Sequence, residues 1–181
     1  MLTRLACLVL AALVTGCGGS STPSVSGGGS DGGGGTTVGF ACTGSDPACT
    51  CAAAATCIDT CAEPRNDCSY TCSTGASCTS TCTQSDCTQT CTGATCSMQC
   101  TQGNCIQTCT GGSCTMACPG GDCSQTCTGG TCALDCTGGD CTVTCQATTS
   151  CHITSCSGGC TLKCNGSPDC SCTGTGCTTN P

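Results

Sequence analysis

Cysteine and threonine positions alternate along most of this chain with a fixed spacing. From Cys78 to Cys145, cysteine recurs as C-x3-C-x4-C, so the basic unit is nine residues long. In the segment Cys141 to Cys145, the two cysteines and Val143 fall on one side of an extended chain and the threonines on the other. Alternation of this kind predicts a strand with threonine facing outward.

The four residues between successive strands have the composition of tight turns. Many are Thr-Gly-Gly-x, as from Thr110 to Ser113, and consecutive glycines supply the positive φ angles that such turns need. A helix would also place cysteines at i and i+4 on one face, but frequent glycine and threonine disfavour it. Each nonamer is therefore predicted to form a strand and a turn.

Alternate nonamers differ consistently, so the full repeat is eighteen residues. The middle strand position carries one set of residues in the first class of nonamer (Gln89, Gln107, Gln125, Val143) and another in the second (Ser80, Met98, Met116, Leu134). The last turn residue likewise differs between the first class (Thr95, Ser113, Thr131) and the second (Asp86, Asn104, Asp122, Asp140). Two strands and two turns per repeat predict one coil of an all-β, disulfide-rich β-solenoid, with a Gln ladder on one inner wall and Met and Leu on the other. The alternative is a disulfide-linked β-hairpin meander, which would leave the cysteine face of a single sheet uncovered.

The spacing is regular only in the middle of the repeat domain. That domain is expected over residues 42–177, with a regular array over 68–150 and irregular ends. The ends contain the two C-x-C segments of the chain, Cys49/Cys51 and Cys170/Cys172. Atypical ends around a regular array are typical of solenoid caps.

The composition leaves little apolar material for a core. Among 181 residues there are 32 Cys and 28 Gly, but one Phe, one Tyr and no Trp. Core-poor secreted chains of this kind are commonly held together by disulfides. Thiolate metal binding is an alternative use of dense cysteine, but C-x2-C, a spacing common in metal sites, never occurs. The array also resembles the calcium-binding nonapeptide β-roll, yet most of its turns lack the ligand Asp, so no metal site and no cofactor is expected.

Strand geometry limits which cysteines can pair. Cysteines at i and i+4 of one strand lie about 13 Å apart at about 3.3 Å per residue, whereas a disulfide needs Cα atoms about 4.4–6.8 Å apart. Pairing could instead cross a turn or cross a coil, as in Cys78 with Cys91, and the sequence leaves both schemes open. The turn-crossing scheme pairs the first of the following cysteines with the second, the third with the fourth, and so on to the end: Cys82, Cys87, Cys91, Cys96, Cys100, Cys105, Cys109, Cys114, Cys118, Cys123, Cys127, Cys132, Cys136 and Cys141.

The N-terminus has the pattern of an export signal. The apolar run from Leu5 to Val14 is too short to span a bilayer and suits a signal peptide. It leads into Val14-Thr15-Gly16-Cys17, which resembles the lipobox of bacterial lipoproteins. The resemblance implies a signal peptide over residues 1–16, palmitate and other acyl chains on Cys17, and attachment to the outer membrane of a diderm bacterium. Residues 17–41 read as the lipidated cysteine and a flexible Gly/Ser tether.

Charge narrows the choice of partners. Beyond the signal peptide only Arg65 and Lys163 oppose ten acidic residues. An acidic chain of this kind does not suit nucleic acid or anionic lipid headgroups. Membrane attachment is therefore assigned to the N-terminal lipid alone, and a surface protein, glycan or ice remains open as the partner.

Catalytic chemistry has little support in the sequence. His152 is the single histidine and is expected to be an ordinary surface residue, because no flanking motif supports a Ser-His-Asp triad. The array glycines belong to turns and not to a phosphate-binding loop. We therefore expect no enzymatic activity and no catalytic residue.

Threonine triplets give one strand class a distinctive outer surface. Thr-Cys-Thr recurs with threonines at Thr90, Thr92, Thr108, Thr110, Thr126 and Thr128. Stacked coils would make two rows of threonine about 4.8 Å apart between coils and about 7 Å apart along the strand. This surface resembles the Thr-x-Thr face of insect β-helical antifreeze proteins, which are also disulfide-laddered. The leading expectation is a lipid-anchored structural or binding module at the cell surface, with ice binding through this face or thiolate metal binding as alternatives.

Overall fold

The computed structural model describes residues 48–62, 67–148 and 150–181. The signal peptide, the lipidated Cys17 and the tether predicted over residues 1–41 lie outside the described residues. The described residues form thirteen strands and contain no helix. In chain order the strands are β1 (Ala48–Cys51), β2 (Thr56–Cys61), β3 (Ser69–Cys72), β4 (Ser77–Cys82), β5 (Thr88–Cys100), β6 (Ile106–Ala117), β7 (Ser124–Thr128), β8 (Thr131–Cys136), β9 (Thr142–Gln146), β10 (Ser150–Cys156), β11 (Thr161–Asn165), β12 (Cys170–Cys172) and β13 (Thr178–Asn180).

These strands stack into a β-solenoid of about seven coils. One face has the order β1-β3-β5-β6-β7-β9-β11-β13, and the other runs β2-β4-β5-β6-β8-β10-β12. Every pairing is parallel, and in the regular region each residue lies beside the one eighteen positions later, as Thr88 beside Ile106. The predicted solenoid is therefore confirmed. The alternative meander is wrong, because hairpins would pair antiparallel.

The first face is called the threonine face below, and the second the opposite face. Strands β5 and β6 are long enough to belong to both. The chain turns between Cys91 and Cys96 as the sequence predicts, with a φ of 59° at Gly93, yet strand β5 runs through that corner. Pairing continues there, with Ala94 beside Gly112, so the corner is part of the ladder.

The irregular ends continue the same coil. Ala48 lies beside Ser69 and Cys151 beside Cys170, although the chain distance between partners there departs from eighteen. The extra residues fall mainly in the turns, and one shift in register occurs between Ile153 and Ser155.

Two inner walls of different chemistry meet inside the solenoid. On the opposite face the buried positions are Met98, Met116, Leu134 and Ile153. On the threonine face they are Gln89, Gln107 and Gln125, each with no exposed surface, followed by Val143 and Leu162. The predicted division between a Gln wall and a Met/Leu wall is therefore confirmed.

The buried glutamines satisfy one another along the solenoid axis. Gln107 donates from Nε2 to Oε1 of Gln89 at 2.8 Å, and Gln125 donates to Oε1 of Gln107 at 2.8 Å. Gln89 donates in turn to the backbone and the hydroxyl of Ser80, both at 2.9 Å. The chain of bonds stops at Val143, so Oε1 of Gln125 is buried without a hydrogen-bond partner.

The backbone conformation of the turns explains why Asp or Asn recurs every eighteen residues at the last position of one turn class. Asp86, Asn104, Asp122 and Asp140 all have φ between 53° and 64°. Asn and Asp tolerate this left-handed conformation better than other residues that carry a Cβ, which accounts for their recurrence at one edge. At the other edge Gly130 has φ of +75°, and a Cβ there would lie 2.2 Å from the carbonyl oxygen of Gly112. The coils therefore approach too closely for any side chain at that position.

Candidate functional surfaces

Disulfides clamp both edges of the solenoid. Each of the fourteen resolved pairs joins cysteines four to seven residues apart, with Cα atoms 5.9–6.4 Å apart. The structure thus has the turn-crossing scheme and not the cross-coil one. The pairs are 51–57, 61–68, 72–78, 82–87, 91–96, 100–105, 109–114, 118–123, 127–132, 136–141, 145–151, 156–160, 164–170 and 172–177.

The number of disulfides indicates the redox environment in which the protein folds. Every cysteine in the described ranges, including Cys49, is disulfide-bonded. Disulfides persist in oxidising compartments and are reduced in an ordinary cytosol, so the protein belongs with exported or extracellular proteins. Thiolate ligands for a metal would require prior reduction of these pairs.

The strand register aligns threonine into columns on the threonine face. Thr90, Thr108 and Thr126 are successive register partners, as are Thr92, Thr110 and Thr128. The first column continues through Thr71 and Thr144, whose triplets are incomplete, and Thr50 extends it by one further coil. Six consecutive coils therefore present threonine at one position before Lys163 ends the column.

The same face is free of charge over those six coils. Its third outward column, next to the first, consists of Ser69, Thr88, Ile106, Ser124 and Thr142. Small hydroxyl side chains dominate, and the exception is Ile106, which is 51% exposed. A neutral, hydroxyl-rich surface can offer hydrogen bonds and methyl groups but no ion pairs.

The opposite face is chemically more varied. It has its own hydroxyl column, Thr56, Ser77, Thr95, Ser113 and Thr131. Its other outward columns, however, mix Ile58, Gln99, Ala133, Asp135 and His152. Both faces therefore carry hydroxyl groups, and the threonine face differs in that its outward residues are more uniform.

His152 lies in a polar cluster that no motif in the sequence predicts. Its Nδ1 is 2.6 Å from Oγ of Ser171, and its Nε2 is 3.1 Å from Oδ2 of Asp169. In one tautomer the hydroxyl of Ser171 donates to Nδ1 while Nε2–H donates to the carboxylate. These are the contacts of a Ser-His-Asp arrangement, but the cluster lies exposed on a sheet face, with Asp169 62% exposed. The bonds tie β12 and its preceding turn to β10.

A small cavity of about 30 Å³ lies among the first coils. It is lined by Cys51, Tyr70, Ser80 and Met98, among others. Ser80 occupies the position that Met98 takes in the next coil, and its smaller side chain leaves more space there.

No helix in the described ranges is long and apolar enough to cross a bilayer. Comparison with known proteins found no matching family model, no similar curated protein and no similar solved structure. The functional argument therefore rests on the residues and geometry of this chain.

Proposed function

We propose that the protein is a lipid-anchored, non-enzymatic module at the cell surface, in which a rigid disulfide-clamped solenoid is tethered to the outer membrane. The observation that carries the proposal is a cross-linked solenoid that follows, in the same chain, a lipobox at Val14 to Cys17 and a tether rich in Gly and Ser. Rigidity follows from a clamp at both edges of almost every coil. The anchor would hold that rigid surface at the outer membrane.

The test of this role is removal of the lipidation site. Cys17→Ala should release the protein from the membrane fraction or mislocalise it, because the acyl chains are the membrane-binding device that the sequence provides. The β signal in circular dichroism should be unchanged, since a long tether separates Cys17 from the solenoid. Cys7→Ala, inside the apolar run that is cleaved away, is the matched control and should still fractionate with membranes. Membrane association of the Cys17→Ala protein would contradict the lipoprotein assignment.

Ice binding is the second candidate, and the six-coil threonine column favours it. A regular, neutral array of hydroxyl and methyl groups suits a neutral hydrogen-bonding lattice better than a charged partner. The flatness of the array matters, so Thr108→Tyr in its middle should abolish thermal hysteresis or inhibition of ice recrystallisation. Gln99→Tyr, on the exposed opposite face, should have no effect. If the intact domain lacks both activities, the threonine face reverts to a solvent-facing or partner-binding surface.

Thiolate metal binding is the weakest candidate for the protein as folded, because its cysteines are engaged in disulfides. Non-enzymatic function is proposed even though His152, Ser171 and Asp169 are in contact. A catalytic serine needs a substrate-holding cleft and an oxyanion-binding site beside it. The proposal rests on the position of the cluster, which lies exposed on a sheet face and not in a cleft.

A further inference from the structure

The disulfides of neighbouring coils lie close enough to form continuous columns of sulfur. Along one edge, the Sγ atoms of Cys51, Cys72 and Cys78 all lie within 4.8 Å of one another. The same is true of Cys72 with Cys91 and Cys96 in the next coil. A third group, Cys91, Cys109 and Cys114, continues the series, so each disulfide has a sulfur of the next within 4.8 Å.

Solvent reaches these columns unevenly. Within the column just described, Cys78 is only partly buried, whereas Cys91 and Cys109 have no exposed surface and Cys96 has 4%. Exchange requires a thiolate to reach a disulfide sulfur. A reductant from solution can therefore attack Cys72–Cys78 far more readily than the pairs further inside.

We propose that each column is a path for thiol–disulfide exchange, through which the protein oxidises a dithiol substrate at an accessible pair and passes the reduced pair inward. The substrate class is a small dithiol or a pair of thiols on another exported protein. This activity goes beyond the anchored-module role and does not depend on it. Each substrate consumes one of the protein's own disulfides, so the reaction is stoichiometric and not enzymatic.

The entry step is ordinary disulfide exchange. A substrate thiolate attacks Sγ of Cys78, forms a mixed disulfide and releases the Cys72 thiolate. The second thiol of the substrate then attacks the substrate sulfur that is bonded to Cys78 and releases Cys78 as a thiolate. The substrate has become a disulfide and lost two electrons, and Cys72–Cys78 has become two thiols.

The transfer step needs no further oxidant or reductant. The Cys72 thiolate attacks Sγ of Cys91, so the Cys72–Cys91 bond forms, the Cys91–Cys96 bond breaks and Cys96 leaves as a thiolate. The Cys78 thiolate then attacks Cys72, which restores Cys72–Cys78 and releases Cys91. The reduced pair has moved one coil inward.

Backbone geometry permits the bridging intermediate. Cys72 and Cys91 are register partners on adjacent parallel strands, as are Cys91 and Cys109. Neighbouring strands lie about 4.7–4.9 Å apart, within the Cα separation of about 4.4–6.8 Å that disulfides adopt. The Cα separation of register partners therefore suits an inter-coil disulfide.

The test is to follow where a single reduced pair resides over time. The full exported chain, at high dilution, receives one equivalent of a water-soluble phosphine, which reduces one disulfide irreversibly as water supplies the oxygen of the phosphine oxide. Free thiols are then alkylated after increasing delays and mapped by mass spectrometry. Label should appear first on Cys78 and on the half-buried cysteines of the last coils (Cys164, Cys170, Cys172, Cys177), and later on Cys91 and Cys96.

Paired variants separate a relay from slow direct attack. Removal of the disulfides on both sides of Cys91–Cys96 on the same edge (C72S/C78S with C109S/C114S) should abolish its delayed labelling. Removal of equally many disulfides from the other edge (C82S/C87S with C118S/C123S) should leave that labelling intact. If label stays at the accessible cysteines of the native protein at every delay, or if both variants label Cys91 and Cys96 equally, the relay is refuted. The delay series on the native protein decides the matter even if a variant fails to fold.

Discussion

The buried glutamine chain allows a sharp test of what holds the interior together. Gln107 is fully buried and makes two side-chain bonds of 2.8 Å, one as donor to Gln89 and one as acceptor from Gln125. Gln107→Met keeps the length of the side chain and removes its polar atoms. The change leaves Oε1 of Gln89 buried without its donor, while Gln125 retains a contact of 3.4 Å with the carbonyl of Met116.

The expected cost follows from those two losses. An unpaired buried acceptor costs about 1–3 kcal/mol, and a lost bond whose donor keeps another partner costs about 0.5–1.5 kcal/mol. Gln107→Met should therefore lower the free energy of unfolding by about 1.5–4.5 kcal/mol, measured by guanidinium denaturation of the oxidised protein. Gln99→Met makes the same chemical change at an exposed side chain and should stay within about 0.5 kcal/mol of the native protein. Equal stability of the Gln107→Met and native proteins would refute the assigned role of the ladder.

Two further predictions concern the cross-links and the turns. Excess reductant should abolish the β signal in circular dichroism, because closure of a loop of about six residues contributes about 2 kcal/mol per disulfide and the interior holds few large apolar side chains; a β spectrum that persists with all thiols alkylated would contradict this. Gly130→Ala should destabilise the domain by about 1–3 kcal/mol, since Gly130 has positive φ and its Cβ would meet the carbonyl of Gly112. Gly158→Ala, where a Cβ meets nothing within 4 Å, is the control, and an equal Tm for the two variants would count against the close stacking of coils.

The regular coils were predictable because all of them follow the same alternation within strands and the same eighteen-residue period. Period-two alternation placed Gln107 and Met116 inside, and the eighteen-residue period placed them on different walls. The recurrent Asp and Asn at the end of one turn class were visible as a pattern. Their physical reason, a left-handed backbone conformation at Asp86 and its equivalents, needed the structure.

The remaining features depend on coils whose length departs from eighteen. His152 meets Asp169 and Ser171 across steps of seventeen and nineteen residues, in a region with a register shift nearby, so no fixed period brings them together. Thr50 joins the threonine column for a similar reason, because it precedes its register partner Thr71 by more than eighteen residues. The cavity beside Ser80 depends on side-chain volumes in neighbouring coils, which the alternation of polar and apolar residues does not report.

The continuity of β5 across its corner also lay beyond the sequence pattern. Glycine after threonine is typical of a turn, and Gly93 does have the positive φ of one, at 59°. The backbone at Ala94 next to it pairs with Gly112 of the next coil, so the parallel pairing continues through the corner. That pairing depends on the neighbouring coil, which the composition of the turn does not reveal.

The disulfide map of the exported protein tests the central claim most directly, because the solenoid, its rigidity and its compartment all depend on it. Partial reduction, cyanylation of the freed thiols and mass spectrometry of the cleaved chain would assign the pairs. The account predicts near-zero free thiols and pairs that cross one turn, such as Cys82–Cys87 and Cys109–Cys114. Cross-coil pairs such as Cys78–Cys91, or a chain that carries many free thiols, would contradict it.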